Sequence, residues 1–318
     1  MSFPIDDAVT GPLRAVPMAP TVGAGPVGPD PWARPSPLSA PAGESGTVLA
    51  VDTPIEADSL ATEATVDDHV GWNFADVLAG LGALLLLSQL LAWPFLADPH
   101  LPAELRLVVA GFLPVWLGLG GAAVLVARIR GAGRLGVELG LRFRWIDLAI
   151  GIGLGVGLRL ASGLITQIVQ SISGQRAHGN LTQISGGVGR AATLVNLFVA
   201  ATLIAPLIEE LFFRGLLIRS LLATLERRAV RRGRVPGPAL WRRQRQAVVV
   251  VSAVLFALVH LTEVRDPVSA VSLMLTLLLV GGVHAVITLH TGRLGSAVVS
   301  HVVFNGIAAL LALSLLPR

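Results

Sequence analysis

Cysteine, tyrosine and lysine are all absent from this 318-residue sequence, so every basic side chain is an arginine. The absence of cysteine excludes disulfide bridges, a thiol nucleophile and a thiolate metal site. Charged residues of any kind are scarce, at 14% of the chain against 53% hydrophobic residues. A soluble chain of this length has too much surface to cover with so few charges. The composition therefore predicts an integral membrane protein.

The net charge of +4 is the sum of an acidic first part of the chain and a basic remainder. Residues 1–70 contain ten acids and two arginines, and the positive charge lies in the rest. Residues 1–68 are rich in Pro, Ala, Gly, Ser and Thr and contain no apolar run long enough to form a core. We interpret them as a disordered acidic tail ahead of a transmembrane domain at 69–318.

Seven apolar segments follow the tail, most of them close to the roughly 20 residues with which a helix crosses a bilayer. They are 74–96, 106–127, 146–169, 191–222, 247–262, 268–289 and 294–316, of which the fifth is the shortest. The predicted fold is all-α, a polytopic bundle of about seven spanning helices.

The distribution of arginine predicts the orientation of the bundle. Loops 128–145 and 223–246 hold five and eight arginines, whereas loops 97–105, 170–190 and 263–267 hold none, two and one. Arginine is enriched in cytoplasmic loops. Two spans separate the arginine-rich loops, so both should face the cytoplasm together with the N-terminus of a multi-pass protein of the cell membrane. We read these arginines as a topology signal and expect no nucleic-acid partner.

Three charged side chains stand in the fourth apolar segment, where ionisable groups are costly and mark functional sites. Glu210 and Arg214 are four residues apart and share a helix face, so they can pair. Glu209 is rotated from Glu210 by about 100° and points elsewhere. Pro206 should bend the helix just before the acids. A structural ion pair explains Glu210 and Arg214 but leaves Glu209 unexplained.

Two further pairs at helical spacing follow, Phe256 with His260 and His301 with Asn305. Helix lengths place Glu209 and His260 at the same depth in the bundle and His301 and Asn305 about one to two turns shallower, so the four side chains could meet at one buried level. Such a set suits hydrolysis of an amide: a carboxylate takes a proton from water, a histidine positions that water, and further donors bind the oxyanion. Zinc is the alternative, because Glu and His are zinc ligands, although no His-Glu-x-x-His sequence is present.

Together the three motifs resemble those of the CPBP family, the type II CAAX prenyl endopeptidases and bacteriocin-processing-like proteins that are often labelled intramembrane metalloproteases. The resemblance covers about residues 145–316. It implies an endopeptidase acting on membrane-associated peptides or proteins in the lipid bilayer, with no cofactor required in the favoured mechanism. The implied roles are base for Glu209, water positioning for His260, oxyanion binding for His301 and Asn305, and support for Glu210, Arg214 and Phe256. In a zinc mechanism the ligands would be Glu209, His260 and His301.

Two other classes of function fit the same sequence. A non-catalytic binding or immunity scaffold could use the same cavity, although the intact motifs favour the enzyme. A proton-coupled transporter would also contain buried Glu and His, but such proteins often show a repeat with broken helices in both halves. Arg159, inside the third apolar segment, either pairs with one of the two glutamates or extends to the membrane surface. His284, inside the sixth, has either a structural or a site role.

Overall fold

The computed structural model describes most of the chain beyond the predicted tail. The described residues are 71–97, 100–102, 105, 107–177, 190–234, 237–264 and 266–314. The predicted tail at 1–68 lies outside them. All regular secondary structure in these ranges is helical, which confirms the predicted class.

The helices follow one another along the chain with short connections. They are α1 (Phe74–Ala97), α2 (Leu107–Arg130), the short α3 (Leu135–Glu138), α4 (Trp145–Ser173), α5 (Ala192–Arg231), α6 (Pro238–Val259), α7 (Pro267–Thr291) and α8 (Gly295–Ser314). Among the described residues, six helices are long and apolar enough to cross a membrane: α1, α2, α4, α5, α7 and α8. These six correspond to six of the seven predicted segments.

Helix α6 covers most of the remaining predicted segment, 247–262, and differs from the prediction at both ends. It begins at Pro238, so its first turns carry three arginines, and it ends at Val259 with His260 as its C-cap. Only the part after Arg245 is apolar. Within the described ranges there are thus six helices that are long and apolar enough to cross a membrane, and α6 differs from them in its cationic start. The helix begins ahead of the apolar run because Pro238 occupies its first position, where proline is favoured.

Helices α2 and α5 contain π-helical turns, which often occur at functional sites. Those of α2 are Leu107–Phe112 and Trp116–Gly121, and those of α5 are Val195–Ile204 and Leu211–Leu217. In α5 they flank Ala205–Glu210, a short α-helical segment that begins next to Pro206 and ends with the two glutamates. The acids thus lie where the backbone changes its hydrogen-bonding register.

Helices α5 and α6 meet through aromatic side chains close to the glutamates. Phe212 contacts Phe213, and Phe213 contacts Phe256, each edge to face with ring centroids 5.2 Å apart. All three rings are buried. Such pairs are worth about 0.5–1.5 kcal/mol beyond their burial, and here they fix the separation between the helix that carries Glu209 and the helix that ends at His260.

A buried carboxylate fixes the start of α8. Asp147, in the first turn of α4, accepts hydrogen bonds from Arg293 Nη2 at 2.8 Å and from Ser296 Oγ at 2.7 Å. It also accepts the backbone N–H of Arg144 at 2.7 Å. These contacts tie the α7–α8 connection to α4.

Glycines on one face of α4 allow α8 to pack closely against it. A Cβ at Gly155 would lie 2.6 Å from the carbonyl oxygen of Ser300 and 2.7 Å from Val303 Cβ. At Gly157, two residues further along, nothing lies within 4 Å. The close approach sets the position of the α8 segment that carries His301.

Gly155→Ala and Gly157→Ala form a matched pair of substitutions that tests this packing. The first should cost about 1–3 kcal/mol of stability, because the new methyl group must displace the α8 backbone. The second should be neutral or stabilise by up to about 1 kcal/mol, because alanine favours the helix. Thermal unfolding of the two purified variants in detergent measures the difference, and equal unfolding temperatures would contradict the described packing.

Candidate active site

The adjacent glutamates of α5 point to different surroundings. The side chain of Glu210 is fully buried, whereas that of Glu209 remains 12% exposed. Helix geometry separates neighbouring side chains by about 100°, so one acid can face the interior while the next faces a more open region. This is the division that the sequence predicted.

One oxygen of Glu210 pairs with arginine on the same helix, as predicted from the spacing of the two residues. Arg214 Nε lies 3.2 Å from Glu210 Oε2, with both side chains fully buried. The guanidinium group also donates to the carbonyl oxygen of Gly281 at 3.3 Å and lies 4.4 Å from the ring centroid of Phe256. Both Phe256 and Gly281 therefore support the buried cation.

The other oxygen of Glu210 contacts two imidazoles. Oε1 lies 3.0 Å from His284 Nδ1 and 2.9 Å from His301 Nδ1. His284 Nε2 lies 2.9 Å from Ser300 Oγ. A carboxylate accepts hydrogen bonds at both oxygens, so Glu210 organises side chains from α5, α7 and α8 at once.

His301 lies between the two glutamates. Its Nδ1 is directed to Glu210, while its Nε2 lies 3.8 Å from Glu209 Oε2. The contact with Glu210 fixes the ring, in the way that a buried carboxylate orients histidines in many hydrolases.

His260 faces the same oxygen of Glu209 from the end of α6. Its Nδ1 lies 2.7 Å from the carbonyl oxygen of Phe256. Since a carbonyl can only accept, Nδ1 carries the proton, and in the neutral ring Nε2 is free to accept one. That Nε2 lies 3.7 Å from Glu209 Oε2 and 3.8 Å from Glu263 Oε1.

The structure thus brings together three of the four predicted catalytic side chains, Glu209, His260 and His301. Both distances to Glu209 Oε2 exceed a direct hydrogen bond, and they suit a small polar molecule held among the three groups. Asn305, the fourth, lies one turn after His301 and donates through Nδ2 to the carbonyl oxygen of Ala201 at 2.9 Å. That bond uses one of its two amide hydrogens.

Three residues near these groups had no assigned role from the sequence. His284, for which structural and site roles both remained open, contacts Glu210 directly. Ser300 and Glu263 were not singled out, because serine is common in apolar helices and Glu263 follows the predicted span. An ionisable side chain inside an apolar segment was the signal available from the sequence, and of the three only His284 carried it.

Arg159 does not pair with either glutamate. Its guanidinium carbon lies 5.0 Å from the ring centroid of Phe304. The cation is thus stabilised by an aromatic face of α8. This contact replaces the two alternatives that the sequence offered for Arg159, a glutamate pair or an extended position at the membrane surface.

Two groups of side chains have the donor types that zinc prefers. Among the described residues, Glu210, His284 and His301 place their ligand atoms within 4.8 Å of one another. These atoms already contact each other at hydrogen-bond distances, and a guanidinium lies beside the same carboxylate. A further cation there would be repelled, so this group fits a metal poorly. Glu209, His260 and His301, the group expected from the sequence, do not have a neighbouring arginine in contact with Glu209.

Removing one member of the buried ion pair should destabilise the protein. Glu210→Gln and Arg214→Leu each leave an uncompensated charge in the interior, at a cost of about 3–5 kcal/mol. Glu209→Gln, which changes the neighbouring and more exposed acid in the same way, should leave the unfolding temperature close to that of the parent. Thermal unfolding in detergent measures all three, and a Glu210→Gln protein as stable as the parent would refute the structural role.

Comparison with known protein families gives a match over the part of the chain that contains these side chains. Neither the curated proteins nor the solved structures yield a match. Residues 191–307 match the family model described as Type II CAAX prenyl endopeptidase Rce1-like. The matched range begins at the start of α5 and includes all three motifs. The region that builds the candidate active site therefore matches a family of endopeptidases, in agreement with the resemblance of the motifs to the CPBP family.

Proposed function

We propose that this protein is an intramembrane endopeptidase that hydrolyses peptide bonds of membrane-associated proteins or peptides with a water molecule activated by Glu209. One observation carries the proposal: Glu209 Oε2 lies 3.7 Å from His260 Nε2 and 3.8 Å from His301 Nε2. The match of this region to an endopeptidase family supports the reaction class.

Glu209 is the better base because Glu210 is fully engaged. Arg214, His284 and His301 occupy both oxygens of Glu210, and no part of its side chain is exposed. A general base must reach the proton that it removes. The partly exposed Glu209 meets this requirement.

The water would be held between Glu209 and His260. In the neutral form of His260, Nε2 is an acceptor like Glu209 Oε2, so one water molecule can donate a hydrogen to each. Its oxygen then points a lone pair toward the carbonyl carbon of the peptide bond. Glu209 takes the proton as the C–O bond forms, and no serine or cysteine nucleophile is needed.

Formation of the tetrahedral intermediate requires donors that stabilise its oxyanion. His301 in its protonated form can donate through Nε2, and the second amide hydrogen of Asn305 provides another donor one turn away. The C–N bond then breaks, and Glu209 returns its proton to the leaving amine. One water molecule is consumed, and a carboxylic acid and an amine are formed.

The location of the site indicates the class of substrate. Glu209 lies within α5, one of the helices that are long and apolar enough to cross a membrane. A peptide bond must therefore reach the site from the bilayer or its surface. A membrane-associated peptide or protein fits this location.

The first test is cleavage of a farnesylated peptide with a CAAX terminus by the purified protein in liposomes. Glu209→Gln should reduce turnover by about 10²–10⁴-fold, because the base is lost while the shape of the side chain is kept. Glu226→Gln, at the far end of α5, is the matched control and should retain activity. Full activity in Glu209→Gln would contradict the proposal.

A second test separates the water mechanism from a zinc mechanism with Glu209, His260 and His301 as ligands. Zinc bound by these residues would polarise the carbonyl and lower the pKa of bound water. The favoured metal-free mechanism predicts that a strong chelator leaves turnover of the purified enzyme nearly unchanged. Loss of activity that zinc restores, together with stoichiometric zinc that is missing from His260→Ala and His301→Ala, would favour the metal instead.

A further inference from the structure

A proline interrupts the backbone hydrogen bonds of α5 just before the glutamates. In the π-helical turn that precedes it, each N–H donates to the carbonyl five residues earlier, and Ala205 N–H donates to Ala200 O in this way. Proline at 206 has no N–H. In the same pattern, an N–H at position 206 would donate to the carbonyl oxygen five residues earlier, that of Ala201. Ala201 is buried.

Asn305 supplies the hydrogen bond that Pro206 cannot make. Its Nδ2 donates to Ala201 O at 2.9 Å from the neighbouring helix α8. An unpaired carbonyl in an apolar bundle destabilises the fold by a free energy comparable to that of a lost hydrogen bond or larger. The side-chain amide thus replaces a missing backbone amide.

The two helices are in van der Waals contact at this point. A Cβ at Gly306, the residue after Asn305, would lie 3.4 Å from Thr202 Cγ2. The contact between Asn305 and Ala201 joins α8 to α5 five residues before Pro206, a little over one turn, and about two turns before Glu209.

We infer that Asn305 is a positioning residue for Glu209: its amide satisfies the Ala201 carbonyl left free by Pro206 and holds the acid-bearing turn of α5 at a fixed distance from His301. This role is additional to oxyanion binding and uses the other amide hydrogen. The effect on Glu209 depends on the proposed function, whereas the compensation between Pro206 and Asn305 does not.

A double-mutant cycle on Pro206 and Asn305 tests the compensation without any assay of activity. Asn305→Ala alone should lower the unfolding temperature in detergent by roughly 2–4 °C, because it leaves the carbonyl of Ala201 unpaired. In a Pro206→Ala background the new N–H of residue 206 can donate to that carbonyl. Adding Asn305→Ala should then lower the unfolding temperature only slightly. Additive losses would overturn the inference.

Pro206→Ala combined with Thr166→Val provides the matched control. Thr166 bonds to Ser272 between α4 and α7 and shares no partner with Pro206, so these losses should add. If Asn305→Ala does not fold, the double variant still decides the question. Recovery of folded protein supports the compensation, and an equally unfolded double variant contradicts it.

Turnover per folded molecule, measured well below the unfolding temperature, tests the positioning of Glu209. The double variant should turn over roughly tenfold faster than Asn305→Ala, which corresponds to about one hydrogen bond. It should remain slower than Pro206→Ala because an oxyanion donor is missing. Equal turnover in the double variant and Asn305→Ala would refute the positioning role. A third outcome is that every variant is inactive although the stability effects of Pro206→Ala and Asn305→Ala are not additive. That result would contradict the proposed function but would still support the compensation between the two residues.

Discussion

A carboxylate buried among apolar helices must have partners at both oxygens, and the arrangement of this site depends on how Glu210 meets that requirement. Arg214 occupies one oxygen, and His284 and His301 share the other. The groups come from three helices, so the relative rotation of α5, α7 and α8 is fixed by one buried charge. Because His301 is held through Nδ1, its Nε2 is left facing Glu209.

Glu209 and Glu210 are adjacent and chemically identical, but their surroundings give them different roles. Glu210 stabilises the bundle and orients a histidine, whereas Glu209 faces two imidazole nitrogens and stays partly exposed. The difference arises from a rotation of about 100° between successive residues of a helix. The other supports of the site also lie close to these acids: the aromatic contacts around Phe256, the glycine face of α4 and the interruption of α5 at Pro206.

Features within a single helix were predictable from the sequence, because helix geometry fixes which residues share a face. The pair of Glu210 and Arg214 and the apolar helices both follow from spacing and composition. Contacts between helices depend on rotation and packing, which spacing does not determine. The bond from Asn305 to Ala201, the shared oxygen of Glu210 and the stacking of Arg159 on Phe304 therefore required the structure. The cationic start of α6 was missed because hydropathy marks apolar runs rather than helix ends.

A high-resolution crystal structure of the active protein, with anomalous diffraction recorded at the zinc edge, would locate both the nucleophilic water and any bound zinc. We expect a water molecule within hydrogen-bond distance of Glu209 Oε2 and His260 Nε2, next to Nε2 of His301, with no anomalous peak at that position. An anomalous peak among Glu209, His260 and His301, or a nucleophilic water bound to Glu210 instead, would contradict the assignment of Glu209 as the base of a metal-free protease.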